Sequence, residues 1–197
     1  MEFSQSQTKK NMARAFAGLC QDSARLKFMS IDALNEEMIY ISTLLKRISE
    51  EKIGQAKRLY DLINENLENK KDNIVIEAGY PFQSSKIKIG LEQSSITEEF
   101  ESKNLFPQFA KIAKDEGFEN ISNLFLLIAN VSQTNFKILK SLAENYQNKT
   151  LYKDKKNLQW TCCNCGNTIT QKQSWKNCPL CGKNKGFTII PKEKLEF

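Results

Sequence analysis

The sequence predicts an all-α bundle of four long helices followed by a small, metal-bound, β-rich domain. Three observations carry this reading. The first 148 residues are poor in glycine and proline and repeat their apolar residues at helical spacing. From residue 158 onward the composition shifts to glycine, proline, cysteine and β-prone runs such as Phe187-Thr188-Ile189-Ile190. Five of the six cysteines stand in that stretch, four of them in two C-x-x-C hooks.

Helix one is expected over about Ser6–Met29. Helix two follows to Glu68, with Ser30 or Asp32 as N-cap. Asn69–Ser85 contains Gly79 and Pro81 and reads as a connection. Helix three is expected over Lys86–Asp115, stopped by Gly117, and helix four over Asn120–Gln147. One long connection between the second and third of four helices is the ferritin-like arrangement. The chain then divides into a bundle, residues 1–148, a lysine-rich linker, 149–157, and a four-cysteine domain, 158–197.

The 197 residues suit one medium domain and one small one. No apolar run reaches 18 residues, so no membrane span is expected, and the first residues do not read as a secretory signal. Clustered cysteines point to metal binding in a reducing compartment rather than to a disulfide framework, hence a cytoplasmic protein. The net charge of +6 is uneven: residues 149–197 hold ten lysines and no arginine, against Asp154, Glu193 and Glu196. This is either a solvated surface or one that docks an acidic partner. The lack of arginine argues against nucleic acid.

The hooks are Cys162/Cys165 and Cys178/Cys181, spaced C-x2-C-x12-C-x2-C. Gly166 and Gly182 follow the second cysteine of each and permit a positive φ there. Four thiolates in a tetrahedron select zinc or iron, and spacing does not choose between them. A module this small lacks enough core to fold alone, so the metal contributes folding free energy. Cys163 reads as a bystander, and Trp160, Trp175 and Phe187 as packing around the site.

A second signal lies inside the bundle. Lys52 and Gln55 fall on the apolar stripe of helix two, Glu98 and Glu101 on that of helix three, and Ser132 and Asn135 on that of helix four. Leu19 is at the matching level of helix one. Buried charge must be paired, and the simplest pairing joins Lys52 to one or both glutamates; the alternative on periodicity alone is that the helices rotate slightly and these residues reach solvent.

Thr8-Lys9-Lys10-Asn11, Ala15-Phe16-Ala17-Gly18, Ala56-Lys57-Arg58-Leu59-Tyr60 and Phe106-Pro107-Gln108-Phe109-Ala110-Lys111-Ile112-Ala113-Lys114-Asp115-Glu116-Gly117-Phe118 resemble rubrerythrins. So do Trp160–Gly166 and Cys178-Pro179-Leu180-Cys181, which match their rubredoxin-like tail. The resemblance implies a ferritin-like bundle that holds two irons and reduces peroxide. It also implies a single iron on Cys162, Cys165, Cys178 and Cys181 that relays electrons, and a homodimer, sometimes with swapped helices. The family's diiron ligands are not conserved in kind here. Its first-helix glutamate falls on Leu19, one Glu-x-x-His pair on Lys52 and Gln55, and the other on Ser132 and Asn135; Glu98 and Glu101 alone match, and the chain has no histidine. Lys52 is then expected to replace the metal cation against Glu98 and Glu101, with Gln55, Asn135 and Ser132 hydrogen-bonding the remaining acceptors.

Three functions follow as expectations. One is a rubrerythrin-like one-electron carrier with its diiron peroxidase site largely lost, working with a redox protein partner. Another is a zinc-ribbon scaffold with redox-inert zinc. The third is a peroxide-reducing enzyme with rearranged ligands, drawing on Glu98, Glu101, Asp22 or Cys20.

Overall fold

The computed structural model describes residues 2–67, 73–82 and 86–195. The expected end of helix two at Glu68, parts of the connection over Asn69–Ser85 and the end of the tail lie outside the described residues. The helices are α1 (Gln7–Asn35), α2 (Ile39–Glu65), α3 (Ile87–Phe100), α4 (Phe106–Asp115) and α5 (Glu119–Gln147). A π-helical turn, Glu101–Leu105, joins α3 to α4, so the pair forms the third helix of a four-helix bundle.

The break between the first two helices differs from the sequence expectation. Ser30 and Asp32 lie inside α1 rather than capping α2. The Ser30 hydroxyl donates to the Lys27 carbonyl one turn back, a bond a helix interior accommodates. The chain reverses instead at Glu37, which takes φ 57°, and the Met38 amide closes the turn on Ala33 O at 2.8 Å.

The third helix also departs from simple periodicity. Pro107 has no N–H to donate, and the preceding turn widens so that the Phe106 amide reaches back to Glu101 O. The inserted residue advances the buried face by one position. Phe106, Ala110 and Ala113 are buried together with Phe109, which uniform spacing selects, whereas Leu105 and Ile112, which it also selects, are only half-buried. Gly117 ends the rod as expected, at φ 90°, with the Phe118 amide donating to Ala113 O at 2.7 Å.

Two apolar clusters fill the bundle. One gathers Met12, Leu19, Ala56, Leu59, Phe106, Phe109 and Phe125. The other gathers Leu26, Met29, Ile41, Leu45, Ile48, Leu91, Ile138 and Leu142. Leu151, Ile190 and Leu195 from the C-terminal module complete the second cluster, so the module seats on that end of the bundle. Strand β1 (Lys153–Cys162) starts within the stretch read as a linker. It pairs antiparallel with β2 (Thr168–Gln173) on one side and β3 (Thr188–Ile189) on the other, in the order β2-β1-β3.

Candidate metal centre and the charged layer of the bundle

Both cysteine hooks fold by the same backbone pattern. The Cys162 amide donates to Asn167 O and the Gly166 amide to Cys162 O; in the second hook Cys178 donates to Lys183 O and Gly182 to Cys178 O. Gly166 and Gly182 take φ 75° and 73°, the left-handed turn that a side chain resists. The Asn167 and Lys183 amides are then placed to hydrogen-bond Cys165 and Cys181. This repeat brings four sulfurs to one centre.

The Sγ atoms of Cys162, Cys165, Cys178 and Cys181 all lie within 4.8 Å of one another. Cys162 and Cys181 are 3.7 Å apart, and Cys165 and Cys178 3.6 Å. A tetrahedron with metal–sulfur bonds of about 2.3 Å has edges of about 3.8 Å, so the donor set fits a single four-coordinate ion. Trp160 and Trp175 pack with Cys162 and Cys178 in a core of their own, with Phe187 against it. Cys163 is exposed and stands outside the set.

The polar residues of the bundle form a layer between its two apolar clusters. Lys52 is 0% exposed. Its ammonium donates to Glu98 Oε2 at 2.8 Å, Glu101 Oε2 at 2.7 Å and Ser132 Oγ at 3.4 Å. The Ser132 hydroxyl donates to Glu101 Oε2 at 3.3 Å. Burial pushes the Glu98 carboxyl above its ordinary range, against the pull of Lys52. Burial acts on Glu101 in the same direction, but Lys52 and hydrogen bonds outweigh it and hold that carboxyl low.

The sequence reading left Asp22 out of this layer, although it stands one turn after Leu19 on the same face of α1. It is buried, its Oδ2 lies 4.0 Å from the Lys52 ammonium, and its Oδ1 pairs with Arg25. Burial and the nearby Glu101 push its pKa up to about 8. The i+3 spacing from Leu19 was the signal that could have found it. Leu19 itself is fully buried in the apolar cluster beyond.

Gln55 and Asn135 do not take the expected role of bonding the glutamates. Gln55 Oε1 and Asn135 Nδ2 are buried with no partner, and both residues line a groove of about 720 Å³ between α2 and α5 with Leu124, Ile128 and Ile138. The ammonium itself meets one oxygen, Oε2, of each glutamate.

No family model matches the chain. Individual relatives do. Rubrerythrin-1 of Clostridium acetobutylicum is 33% identical over 177 residues, covering 89% of this chain and 90% of that protein. Rubrerythrin of Clostridium perfringens is 28% identical over 189 residues, covering 95% and 96%. Among solved structures, fully reduced nigerythrin superposes with a TM-score of 0.61 at 17% identity, over 95% of this chain and 90% of that one. That likeness extends through bundle and tail, which gives the fold as a ferritin-like bundle with a rubredoxin-like domain. With sequence identity and four-sulfur geometry both in hand, the chain belongs to the rubrerythrin family.

Proposed function

We propose that this rubrerythrin-family protein is a one-electron carrier whose four-cysteine centre holds iron and whose bundle no longer performs diiron peroxidase chemistry. The carrying observation is the Lys52 ammonium, fully buried and 2.7–2.8 Å from Glu101 and Glu98. A fixed positive charge there supplies to the two carboxylates what a bound cation would, and it repels a metal ion from the same space. The histidine ligands of the family have no counterpart in the chain. Nigerythrin has been solved in an all-ferrous state, which supports iron as the metal of the tail. The lysine-rich tail suits a redox protein with an acidic surface, and the family resemblance favours a homodimer. No helix among the described residues is long and apolar enough to cross a membrane.

Metal analysis and visible absorption of anaerobically purified, then oxidised, protein test this reading. The expected result is one iron per chain, coloured by sulfur-to-iron charge transfer, and no peroxide turnover. Two or three irons per chain would overturn the account of the bundle. A colourless zinc protein would replace the electron carrier by a scaffold.

A further inference from the structure

From Lys155 to Lys192 the chain holds seven lysines and no aspartate or glutamate. Among the described residues none of the seven forms an ion pair with a carboxylate. Three of them stand on the second cysteine hook. Its two arms pair backbone to backbone: the Cys178 amide donates to Lys183 O at 2.7 Å and the Lys185 amide to Lys176 O at 2.9 Å. This pairing gathers Lys176, Lys183 and Lys185, all exposed, on the arms of one loop whose tip carries Leu180. Leu180 is 68% exposed, a large apolar side chain standing in water.

The four cysteines are unequally covered. Cys162 and Cys178 are buried with Trp160 and Trp175, whereas Cys165 and Cys181 are half-buried, and Cys181 directly follows Leu180. The module is fixed to the bundle elsewhere, at the α1–α2 turn. A β-carbon on Gly186 would fall 1.7 Å from the Glu37 carbonyl oxygen, so only glycine fits there. Glu36 and Glu37 share this junction with Lys176 and Lys185, and both are already hydrogen-bonded, Glu36 by Tyr146 at 3.3 Å and Glu37 by Asn184 at 2.6 Å. The loop thus combines an apolar tip, flanking lysines and a partly uncovered ligand to the centre. Protein interfaces have this anatomy of apolar middle and polar rim, and transient redox contacts need less than about 1,200 Å² of it.

We propose that this loop is the docking face for an acidic electron-carrier protein. Leu180 makes the apolar contact, Lys176, Lys183 and Lys185 meet carboxylates of the partner, and the electron crosses beside Cys181. One electron passes and no bond changes: what the partner's centre loses the four-cysteine centre gains, or the reverse. The nature of the partner rests on the electron-carrier reading above, whereas the place of the face rests on the loop itself.

Docking is measured first without electron transfer. The full chain, ¹⁵N-labelled and loaded with diamagnetic zinc, is titrated at low salt with oxidised plant-type ferredoxin as the acidic probe. Cytochrome c, a basic carrier, and a short DNA duplex, another polyanion, are the comparisons. Ferredoxin should shift the amide signals of residues 176–185 saturably, leave those of residues 155–157 in place, and dissociate as salt rises. Lys155 and Lys156 lie on β1, roughly 20 Å along the strand from Cys162. The triple variant Lys176→Glu, Lys183→Glu and Lys185→Glu should weaken ferredoxin roughly tenfold or more. The same change of charge at Lys155, Lys156 and Lys172 should weaken it less than about threefold. Leu180→Ser should cost roughly fivefold, at high salt as well as low. The docking face is overturned if the shifts lie elsewhere, if cytochrome c or the duplex binds as well as ferredoxin, or if the two triple variants act alike. The iron-loaded, oxidised chain then tests the reading beneath it: reduced ferredoxin should bleach its visible absorption, more slowly as salt rises. Docking of the zinc form without bleaching of the iron form would overturn the electron-carrier reading and leave the face standing. Bleaching by dithionite with no docking of ferredoxin would overturn the face alone.

Discussion

Lys52 is the residue on which the bundle's electrostatics turn. Exposed ion pairs contribute little, but removing one partner of a buried pair leaves an uncompensated charge in a poor solvent. Lys52→Met should therefore destabilise the chain by about 3–5 kcal/mol in urea unfolding at pH 7. Adding Glu98→Gln and Glu101→Gln to it should restore most of the loss, because neutral groups in the same volume lack that penalty. An unchanged midpoint in the single variant would mean that the glutamates reach water. Asp22 makes a separate prediction. Its ordinary pKa of 3.8 is raised to about 8 in the fold. The folded state then binds more protons than the unfolded chain between these values, so Asp22 makes stability fall as pH rises from about 4 to about 8. Other charged groups facing it are Arg25 on its own helix, Lys52 on α2 and Glu101 in the π turn. Asp22→Asn should flatten that fall when unfolding free energy is measured across the range. A slope equal to that of the wild type would show that Asp22 is ionised throughout.

At the scale of elements, the first helix is held at its start by a carboxylate from elsewhere in the bundle. Glu116, just past α4, accepts from the Gln7 amide at 2.9 Å, the Thr8 amide at 2.8 Å and the Thr8 hydroxyl at 2.6 Å. Negative charge is favoured at a helix N-terminus, whose first amides lack partners. Partial burial pushes this carboxyl up, but the Thr8 and Gln7 bonds prevail and hold it below its ordinary value. Its contribution is present above the unfolded pKa and is lost as pH falls through the lower folded one. Glu116→Gln should cost about 1 kcal/mol in thermal melts at pH 7, with the difference vanishing in strong acid. The π turn works at the same scale. It resolves the missing amide of Pro107 in a turn that follows Glu98 and begins at Glu101, and both residues still face inward while the helix beyond them is rephased.

For the molecule as a whole, bundle and tail differ in what holds them. The apolar cluster around Met12, Phe106 and Phe125 is built from helices alone. The tail has a core of Trp160, Cys162, Trp175 and Cys178, and depends on its metal. A structural ion of this type contributes on the order of 10 kcal/mol. Stripping the metal with a strong chelator should unfold the three-stranded sheet and expose Trp160, seen as a red shift of its fluorescence. Helical circular dichroism should stay near its starting value. Simultaneous loss of both signals would show that Leu151, Ile190 and Leu195 are essential to the bundle as well as seated in it.

Much of this protein was legible from the chain alone, because the deciding interactions are local. Hook spacing determined which four sulfurs converge, since each C-x-x-C turn and its glycine close within a few residues. Apolar periodicity determined four helices and, with the family resemblance, pointed to Lys52, Glu98, Glu101 and Ser132 at one interior level. Rigid periodicity failed wherever a contact distant in sequence, or an irregular turn, outweighed it. The helix reversal lies at Glu37 rather than Ser30, where the module's Gly186 and Asn184 meet it. On α4 Phe109 stayed buried as its spacing requires, but Leu105 and Ile112 gave way to Phe106 and Ala113 because the turn before Pro107 widened. Asp22 joined the charged layer, and Gln55 and Asn135 came to line a groove between α2 and α5, through packing that helical spacing does not encode. The junction between bundle and tail could come only from tertiary structure, since Glu37 and Gly186, far apart in sequence, meet there backbone to backbone.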